Sequence, residues 1–318
     1  MTLAPAGKAT PQQAMLGTMA RRPAPPRWRN SPAMVGWAFV APSVLLLAVF
    51  TVYPLAHSLW LSLQDRHLFS AQSTFVGLGN FTKLMHTAEF WSALWNGTVF
   101  SVATVTLQLM AGVTTALLLH SRFRGRALVR GVILFPFVVP TIVAVLIWKW
   151  MLNDLYGVVN VWSIEAGVIR EPVLWLASPR LAMLTVIAIN VWLFFPFITI
   201  HVLARLQVIP LEVYESARVD GAGGWQRFRY ITLPQLWSTI LLVVLIRGIW
   251  MFNKFDSVWL LTEGGPLGTT QTLPLLAYLK AFGQYQLGTG AAVATVIFAL
   301  LAVATLAYGR LLRTERVA

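Results

Sequence analysis

The apolar residues of this chain are gathered into six long stretches that are separated by shorter polar intervals. These stretches span residues 35–62, 92–119, 127–150, 181–206, 236–261 and 288–309. Each is long enough to cross a bilayer as a helix, which takes about 20 residues. A helix is the expected form because lipid offers no partner to an unpaired backbone amide or carbonyl. The pattern therefore predicts an all-α, polytopic membrane protein with six transmembrane helices in residues 34–318.

Composition and charge agree with a membrane protein. Of the 318 residues, 57% are hydrophobic and only 11% are charged, whereas a soluble domain carries about 25% charged residues. The net charge of +13 could suggest nucleic acid as a partner. However, the basic residues flank the apolar stretches, which is the distribution of a topology signal. The absence of cysteine excludes disulfides and thiolate chemistry.

The distribution of Lys and Arg predicts the orientation in the membrane. Residues 1–33 are rich in Pro, Ala, Gln and Arg, and we expect them to form a disordered cytoplasmic tail. With this tail inside, the inner segments hold 16 Lys and Arg residues and the outer loops hold 5. Because basic residues concentrate on the cytoplasmic side, both termini are predicted to be cytoplasmic. The polar interval between the fourth and fifth stretches is then cytoplasmic too.

That interval, Pro210–Pro234, predicts a helix–loop–helix. Proline suits the first turn of a helix, and Glu212 would lie near the positive end of the helix dipole. We expect the helix to run to Val219 and to end at Asp220 and Gly221, since glycine tolerates the left-handed conformation that closes a helix. A second short turn is expected over residues 225–230, ending before the proline at the end of the interval.

The same interval resembles the "EAA loop" of permease subunits of bacterial ABC importers. The residues that carry the resemblance are Glu215, Ser216, Ala217, Asp220, Gly221, Ala222, Phe228, Ile231, Leu233 and Pro234. Only Ser216 departs from the family pattern, where an alanine is usual. The resemblance implies that residues 215–222 form a coupling helix between the fourth and fifth transmembrane helices, which docks onto a cytoplasmic ATPase subunit.

The fifth stretch combines apolar residues with ionisable and amide side chains. These polar residues are Arg247, Asn253, Lys254 and Asp256. Since buried charges are costly in a membrane, they should face the protein interior or a wet cavity. On one continuous helix, four residues at positions i, i+3, i+4 and i+7 would share a face, namely Ile249, Phe252, Asn253 and Asp256. Such a face could bind a polyol, but an ion pair of Lys254 or Arg247 with Asp256 that only joins helices is an equal alternative.

A second resemblance concerns the fourth and fifth stretches. The run from Phe252 to Pro266 and the segment from Trp192 to Pro210 resemble carbohydrate-type permeases, the class of the maltose, glycerol-phosphate and trehalose transporters. In that class, sugar contacts come from these two helices. The resemblance implies that the substrate-binding residues are Leu193, Phe194, Phe197, Ile249, Phe252, Asn253 and Asp256.

The resemblance also implies a function and a set of partners. The chain would be the permease subunit of an ATP-driven, binding-protein-dependent importer of a sugar or sugar-like solute in a bacterial inner membrane, working by alternating access. Its partners would be a second homologous permease subunit in a heterodimer, two cytoplasmic ATPase subunits and an extracytoplasmic solute-binding protein. The alternative is an ion-coupled secondary transporter of a polar solute, although no internal repeat supports it.

Catalytic and metal-binding motifs are absent from the sequence. There is no G-x-x-x-x-G-K-[ST] phosphate loop, so the chain is not expected to hydrolyse ATP or to act as an enzyme. The five histidines are scattered, without the spacing of a metal site. We therefore expect no cofactor or metal on this chain, while the partner ATPase would use ATP and Mg²⁺.

Overall fold

A computed structural model describes residues 2, 32–70, 72–121 and 123–315. The predicted tail at residues 1–33 lies outside these residues, apart from Thr2, Pro32 and Ala33. The chain divides into two compact units, Met1–His57 and Ser58–Ala318.

The first unit is helical from Pro32 onward. Helix α1 (Pro32–Leu47) is followed by a π-helical turn at Ala48–Val52 and by helix α2 (Tyr53–Ser62). Most of the described apolar side chains of the first unit are exposed: Phe39 is 80% and Phe50 is 74% exposed. A helix that is apolar all round and exposed suits a lipid environment rather than water.

The second unit is built from helices with one small hairpin. Its strands and first helices are β1 (Gln64–Arg66), β2 (Ser73–Phe75), α3 (Gly79–Met85), α4 (Ala88–His120), α5 (Arg126–Val138), α6 (Thr141–Met151) and α7 (Val158–Glu165). The remaining helices are α8 (Ala182–Val208), α9 (Leu211–Val219), α10 (Gly224–Arg227), α11 (Leu233–Phe252), α12 (Asp256–Thr262), α13 (Leu273–Tyr278) and α14 (Leu287–Glu315). Two π-helical turns follow α10 and α13, at Phe228–Thr232 and Leu279–Gly283.

Within the described residues, five helices are long and apolar enough to cross a membrane. They cover Gly36–Ser62, Ala88–His120, Ala182–Val208, Gly224–Phe252 and Leu287–Arg310. The bent pair α5 and α6 supplies a sixth span if the two helices are taken as one. The predicted helical class is therefore confirmed, and the predicted number of six spans is consistent with the structure.

The expectation of one continuous helix at 127–150 is wrong. Helices α5 and α6 are bent by 96° at a break between Val138 and Thr141. The cause is Pro140, because the ring of a proline disfavours the helical conformation of the residue before it. Val139 accordingly adopts an extended conformation, with φ −70° and ψ 132°.

The fifth stretch also departs from one continuous helix at 236–261. Helix α11 ends at Phe252, three residues are non-helical, and α12 begins at Asp256. The Asp256 carboxylate accepts a hydrogen bond from the backbone N–H of Ser257 at 2.8 Å, so a side chain replaces a helical backbone acceptor at this point. Lys149 of α6 holds α12 in place by donating from Nζ to the carbonyl of Leu260 at 2.8 Å.

The expected stop before Pro234 is wrong as well. Residues 224–252 form one helical run, with the π-helical turn at Phe228–Thr232 inside it. Within this turn the N–H of Leu233 bonds to the carbonyl of Phe228, five residues back. A proline has no N–H to lose, and it is tolerated where the helical hydrogen-bond register changes.

The small hairpin was not predicted. Strands β1 and β2 pair antiparallel, with Gln64 opposite Phe75 and Arg66 opposite Ser73. The buried Asn80 amide holds the hairpin to α3, because its Nδ2 donates to the carbonyls of Ser62 at 2.9 Å and of Gln64 at 2.8 Å. The two strands contain three residues each, so the fold remains all-α in class.

Helices α4, α8 and α11 supply most of the buried residues of the second unit. Helices α4 and α8 lie against each other along much of their length. Gly112 lies at a close approach of the two helices: a Cβ on it would be 2.6 Å from the Cβ of Ile198 and 3.1 Å from the carbonyl oxygen of Phe195. Small residues at such crossings let two backbones approach in a membrane.

We predict that Gly112→Ala destabilises the protein, whereas Gly131→Ala does not. The added methyl group at Gly112 overlaps Ile198, and overpacking of this kind costs about 1–3 kcal/mol. A Cβ at Gly131, in the middle of α5, would meet nothing within 4 Å. Thermal unfolding of both variants in detergent measures the difference. Equal midpoints for the two variants would contradict the close packing of α4 on α8.

Candidate functional site

A cavity of about 440 Å³ opens at the break between α11 and α12. Its walls include an aromatic ring, an amide and three ionisable side chains, namely Phe194, Asn253, Arg247, Lys254 and Asp256. Ligand pockets for small molecules are typically 300–1,000 Å³ and combine apolar walls with a few polar groups. This cavity has the size and the chemistry to hold a small polar solute.

Arg247 is the most deeply buried ionisable residue of the cavity, at 1% exposure. Its Nε donates to Oε1 of Gln108 at 3.0 Å. Its guanidinium carbon lies 4.6 Å from the ring centre of Phe194, 5.7 Å from that of Phe197 and 5.6 Å from that of Trp250. A desolvated cation–π contact is worth about 2 kcal/mol, while burying an ion costs several kcal/mol. The rings and the amide therefore offset part of the cost of this charge.

A buried chain of hydrogen bonds connects Arg247 to the other side of the break. Gln108 of α4 donates from Nε2 to the carbonyl of Asn190 in α8 at 2.9 Å. The Asn190 Oδ1 accepts from the hydroxyl of Ser257 in α12 at 3.0 Å, and Ser257 follows Asp256 directly. Each of these groups is buried and hydrogen-bonded. This series of hydrogen bonds therefore fixes α4, α8, α11 and α12 relative to one another.

The other two charges of the cavity neutralise each other. Lys254 Nζ lies 2.9 Å from Oδ1 of Asp256. Of the two ion pairs expected as alternatives for Asp256, the structure contains the pair with Lys254. Arg247 forms no ion pair within the described part of the chain, and its acceptor is the neutral amide of Gln108. Lys254 Nζ also lies 4.7 Å from the ring centre of Phe194, so this ring faces two cations.

Four of the seven residues predicted to bind substrate line this cavity, namely Phe194, Ile249, Asn253 and Asp256. The structure thus brings residues of the fourth and fifth stretches together. The reason for this proximity differs from the expected one, because the helix ends at Phe252 and Asp256 starts a new helix. The expectation that Ile249, Phe252, Asn253 and Asp256 share one face of a single helix is therefore wrong.

The other three predicted residues lie elsewhere. Leu193 is buried in the apolar core at 1% exposure. Phe197 contacts His201 and Trp250, with ring centres 4.2 Å and 5.4 Å away. Phe252 lines a separate apolar cavity of about 400 Å³. These side chains pack behind or beside the 440 Å³ cavity rather than in its wall.

Three further residues of the site, Gln108, Asn190 and Ser257, were not predicted from the sequence. Each is a fully buried polar residue, with 0% of its surface exposed. The available signal was a single amide or hydroxyl in an otherwise apolar helix, which in a membrane protein usually faces a partner inside the protein. Their position beside Arg247 depends on the packing of α4 on α8, which hydropathy does not report.

The Pro210–Pro234 interval has the predicted helix α9 and the predicted helix end. Pro210 precedes the helix with an extended backbone, and Gly221 is left-handed with φ +80°. The N–H of Gly221 donates to the carbonyl of Arg218 at 3.0 Å, and that of Ala222 to the carbonyl of Ala217 at 2.8 Å. This pair of bonds is the Schellman motif, which satisfies the last carbonyls of the helix.

The interval presents an exposed surface. Of the residues predicted to couple to an ATPase, Glu215, Ser216, Asp220 and Gly221 are exposed, while Ala217 and Ala222 are half-buried. Five large apolar side chains in the same interval are also exposed, namely Val219 at 88%, Trp225 at 74%, Tyr230 at 74%, Leu211 at 62% and Val213 at 39%. Exposed apolar side chains gathered in one segment make this interval a candidate interaction site.

One hydrogen bond ties α9 to the helical run that leads to the cavity. The hydroxyls of Tyr214 and Thr232 are 2.9 Å apart. Thr232 ends the π-helical turn that continues directly into α11. This hydrogen bond therefore joins α9 to a helix whose far end lies at the 440 Å³ cavity.

Comparison with known proteins gives one family. The family model described as "Binding-protein-dependent transport system inner membrane component" matches residues 108–316. The matched region includes both the cavity and the Pro210–Pro234 interval.

Relatives match over most of the chain. The trehalose/maltose transport system permease protein MalF of Thermococcus litoralis is 35% identical over 286 residues, covering 89% of this chain and 95% of the relative. The sulfoquinovosyl glycerol transport system permease protein SmoG of Agrobacterium fabrum is 33% identical over 295 residues, covering 91% of this chain and 95% of the relative.

A solved structure has the same fold. A chain of a bacterial ABC transporter involved in the import of the acidic polysaccharide alginate superposes with a TM-score of 0.78 at 22% identity. The superposition covers 88% of this chain and 96% of that chain.

We predict that Gln108→Leu destabilises the protein by about 1–3 kcal/mol, because a buried donor of Arg247 loses its acceptor. Thr114→Leu on the same helix is the matched control, since Thr114 is exposed and bonds only to its own helix. Chemical or thermal unfolding in detergent measures both. Gln108→Leu with the stability of the control would show that the chain of hydrogen bonds does not hold the helices together.

Proposed function

The chain belongs to the family of binding-protein-dependent transport system inner membrane components, and from this premise we propose that it is the permease subunit of an ATP-driven importer of a saccharide. The observation that carries the saccharide assignment is the cavity at the α11–α12 break. An aromatic ring, an amide and an ion pair surround about 440 Å³. Hydroxyl groups of a sugar can both donate and accept hydrogen bonds, and the cavity offers partners of both kinds.

Four residues would contact the solute directly. The Phe194 ring would stack on the apolar face of a sugar ring, and Ile249 would complete the apolar wall. Asn253 and Asp256 would bind hydroxyls. Leu193, Phe197 and Phe252 would support these contacts from the adjoining core, since they lie outside the wall of the cavity. Two relatives named for sugar or sugar-like solutes support this assignment.

The Pro210–Pro234 interval would dock onto a cytoplasmic ATPase. The exposed short helix α9 suits the helix-in-groove mode of recognition, in which a groove of the partner holds an isolated helix. Glu215 and Ser216 would contact the ATPase, Asp220 and Gly221 would form the turn, and the small side chains of Ala217 and Ala222 would permit a close approach. Residues 215–222 would thus form the coupling helix.

Alternating access would follow from the connection between the two sites. Closure of the ATPases on ATP would move α9, and the bond between Tyr214 and Thr232 would pass this movement to α11. The cavity, whose wall includes Asn253–Asp256, would then open to the other side of the membrane. A binding protein would deliver the solute from outside.

The proposed assembly has several subunits in a bacterial inner membrane. This chain would pair with a second, homologous permease subunit and with two ATPase subunits that bind ATP and Mg²⁺. Both termini would be cytoplasmic, in keeping with the distribution of Lys and Arg. The chain itself would hydrolyse no ATP.

Co-purification and transport assays test this proposal. The tagged chain, expressed with its chromosomal neighbours, is expected to purify with an ATPase and a second permease, and saccharide uptake in proteoliposomes should be inhibited by vanadate. Uptake that is driven by an ion gradient without ATP would contradict the importer and favour a secondary transporter.

We predict that Gly221→Val uncouples ATP hydrolysis from uptake while the protein still inserts. A side chain other than glycine in the left-handed conformation costs roughly 1–2 kcal/mol, so the end of the coupling helix would rearrange. Gly167→Val is the control, because Gly167 follows the end of α7 in the same left-handed conformation, at φ +72°, lies outside this interval, and a Cβ there would meet nothing within 4 Å. Normal uptake per ATP hydrolysed in Gly221→Val would count against the coupling role.

We predict that Asp256→Ala weakens transport without disrupting assembly, because Lys254 loses its partner in the cavity wall. Asp65→Ala is a matched control: Asp65 also lies near a lysine, Lys83, and both aspartate side chains are 41% exposed. Initial rates of uptake by the purified complex measure the effect. Unchanged kinetics in Asp256→Ala would leave Asp256 with a structural role only.

A further inference from the structure

The cavity at the α11–α12 break carries one uncompensated positive charge. Three ionisable residues line it, namely Arg247, Lys254 and Asp256. Lys254 and Asp256 form an ion pair at 2.9 Å. Arg247 has as its polar partners the amide oxygen of Gln108 at 3.0 Å and the sulfur of Met251 at 3.6 Å. Neither partner is charged, so among the residues that the structure describes one full cation remains.

The surroundings of Arg247 hold this cation in the cavity wall. The residue is 1% exposed, so water does not solvate it freely. Gln108 fixes the guanidinium from one side, and the Phe194 ring covers it at 4.6 Å. Gln108 itself is held by Asn190, because its Nε2 donates to the Asn190 carbonyl. A buried guanidinium with N–H groups to spare is a ready partner for a planar anion.

We infer that the solute of this cavity is a saccharide with an acidic group, such as a uronate, and that Arg247 is its counter-ion. Gln108 is then a positioning residue, because it orients the guanidinium without reaching the solute. This inference rests on the proposed function and makes it more specific, since a neutral sugar would leave the Arg247 charge without an anion. The Lys254–Asp256 pair would serve the hydroxyl groups of the same solute.

A carboxylate of the second permease subunit could neutralise Arg247 instead. The two possibilities predict different effects for a carboxylate that is introduced next to Arg247 by mutation. Gln108→Glu places an anion on Arg247 with almost no change in volume. It would compete with an acidic solute for the guanidinium, whereas it would weaken the pairing of the subunits if the anion came from the partner.

Saturation-transfer NMR on the complete transporter complex in nanodiscs tests the inference. The probes are two pairs of sugars that differ mainly in one acidic group: glucuronate with glucose, and galacturonate with galactose. We expect the wild-type complex to bind each uronate about tenfold or more tightly than its neutral partner, as a hydrogen bond to a charged group allows. Gln108→Glu should abolish this preference.

Two further variants control the experiment. Gln284→Glu adds the same carboxylate beside Lys280, whose Nζ lies 3.1 Å from Gln284 Oε1 outside the cavity, and should retain the preference. Arg247→Lys keeps the charge without the planar fork and should reduce the preference rather than reverse it. Thermal unfolding of each variant shows whether the complex is folded under the conditions of the NMR experiment.

Several results would overturn the inference. For the wild-type complex, these are equal binding of the two sugars of each pair, or no binding of either uronate. For Gln108→Glu, they are an intact preference for the uronates, or loss of the second permease subunit as the main effect. Each of these results leaves the proposed function standing if uptake remains sensitive to vanadate. A complex without an ATPase would instead reject the proposed function.

Discussion

The rest of this structure depends on the need of every backbone amide in a bilayer for a partner inside the protein. The long apolar helices satisfy this need within themselves. The chain leaves the helical conformation at Asn253–Phe255, within a stretch that is otherwise apolar, and these residues line a polar cavity. Non-helical backbone at membrane depth is tolerated in such places, where it borders a cavity or is covered by protein. The site and the break in the helix are therefore one feature.

A break of this kind needs reinforcement, and buried polar side chains supply it here. The chain of hydrogen bonds from Arg247 through Gln108 and Asn190 to Ser257 passes from α11 to α12 by way of two other helices. In a membrane, apolar surfaces gain little by leaving lipid for one another, so hydrogen bonds and close packing decide helix association. The same groups that stabilise the helices thus determine where the charges of the cavity lie.

How far the sequence predicts this molecule depends on the range of the interaction concerned. Hydropathy predicts the long helices, and the turn residues Asp220 and Gly221 predict the end of α9, because both signals are local. The bend before Pro140 also had a local signal, which a count of apolar residues ignores. The break after Phe252 has no proline or glycine to mark it. It depends on Asp256 and on buried contacts with Asn190, which lies more than sixty positions away in the sequence.

The helical run from Gly224 to Phe252 has a mechanical consequence. Its 29 residues form a rod of about 43 Å at 1.5 Å per residue. If the rod tilts about its coupling end by about 10°, its far end sweeps roughly 7 Å, which is close to the 8–10 Å spacing of packed helices. The rod would therefore act as a lever arm, which converts a small movement of the ATPase subunits into a larger movement at the cavity. The π-helical turn at Phe228–Thr232 lies close to the pivot, so any bending there would be multiplied at the far end by the remaining length of the rod.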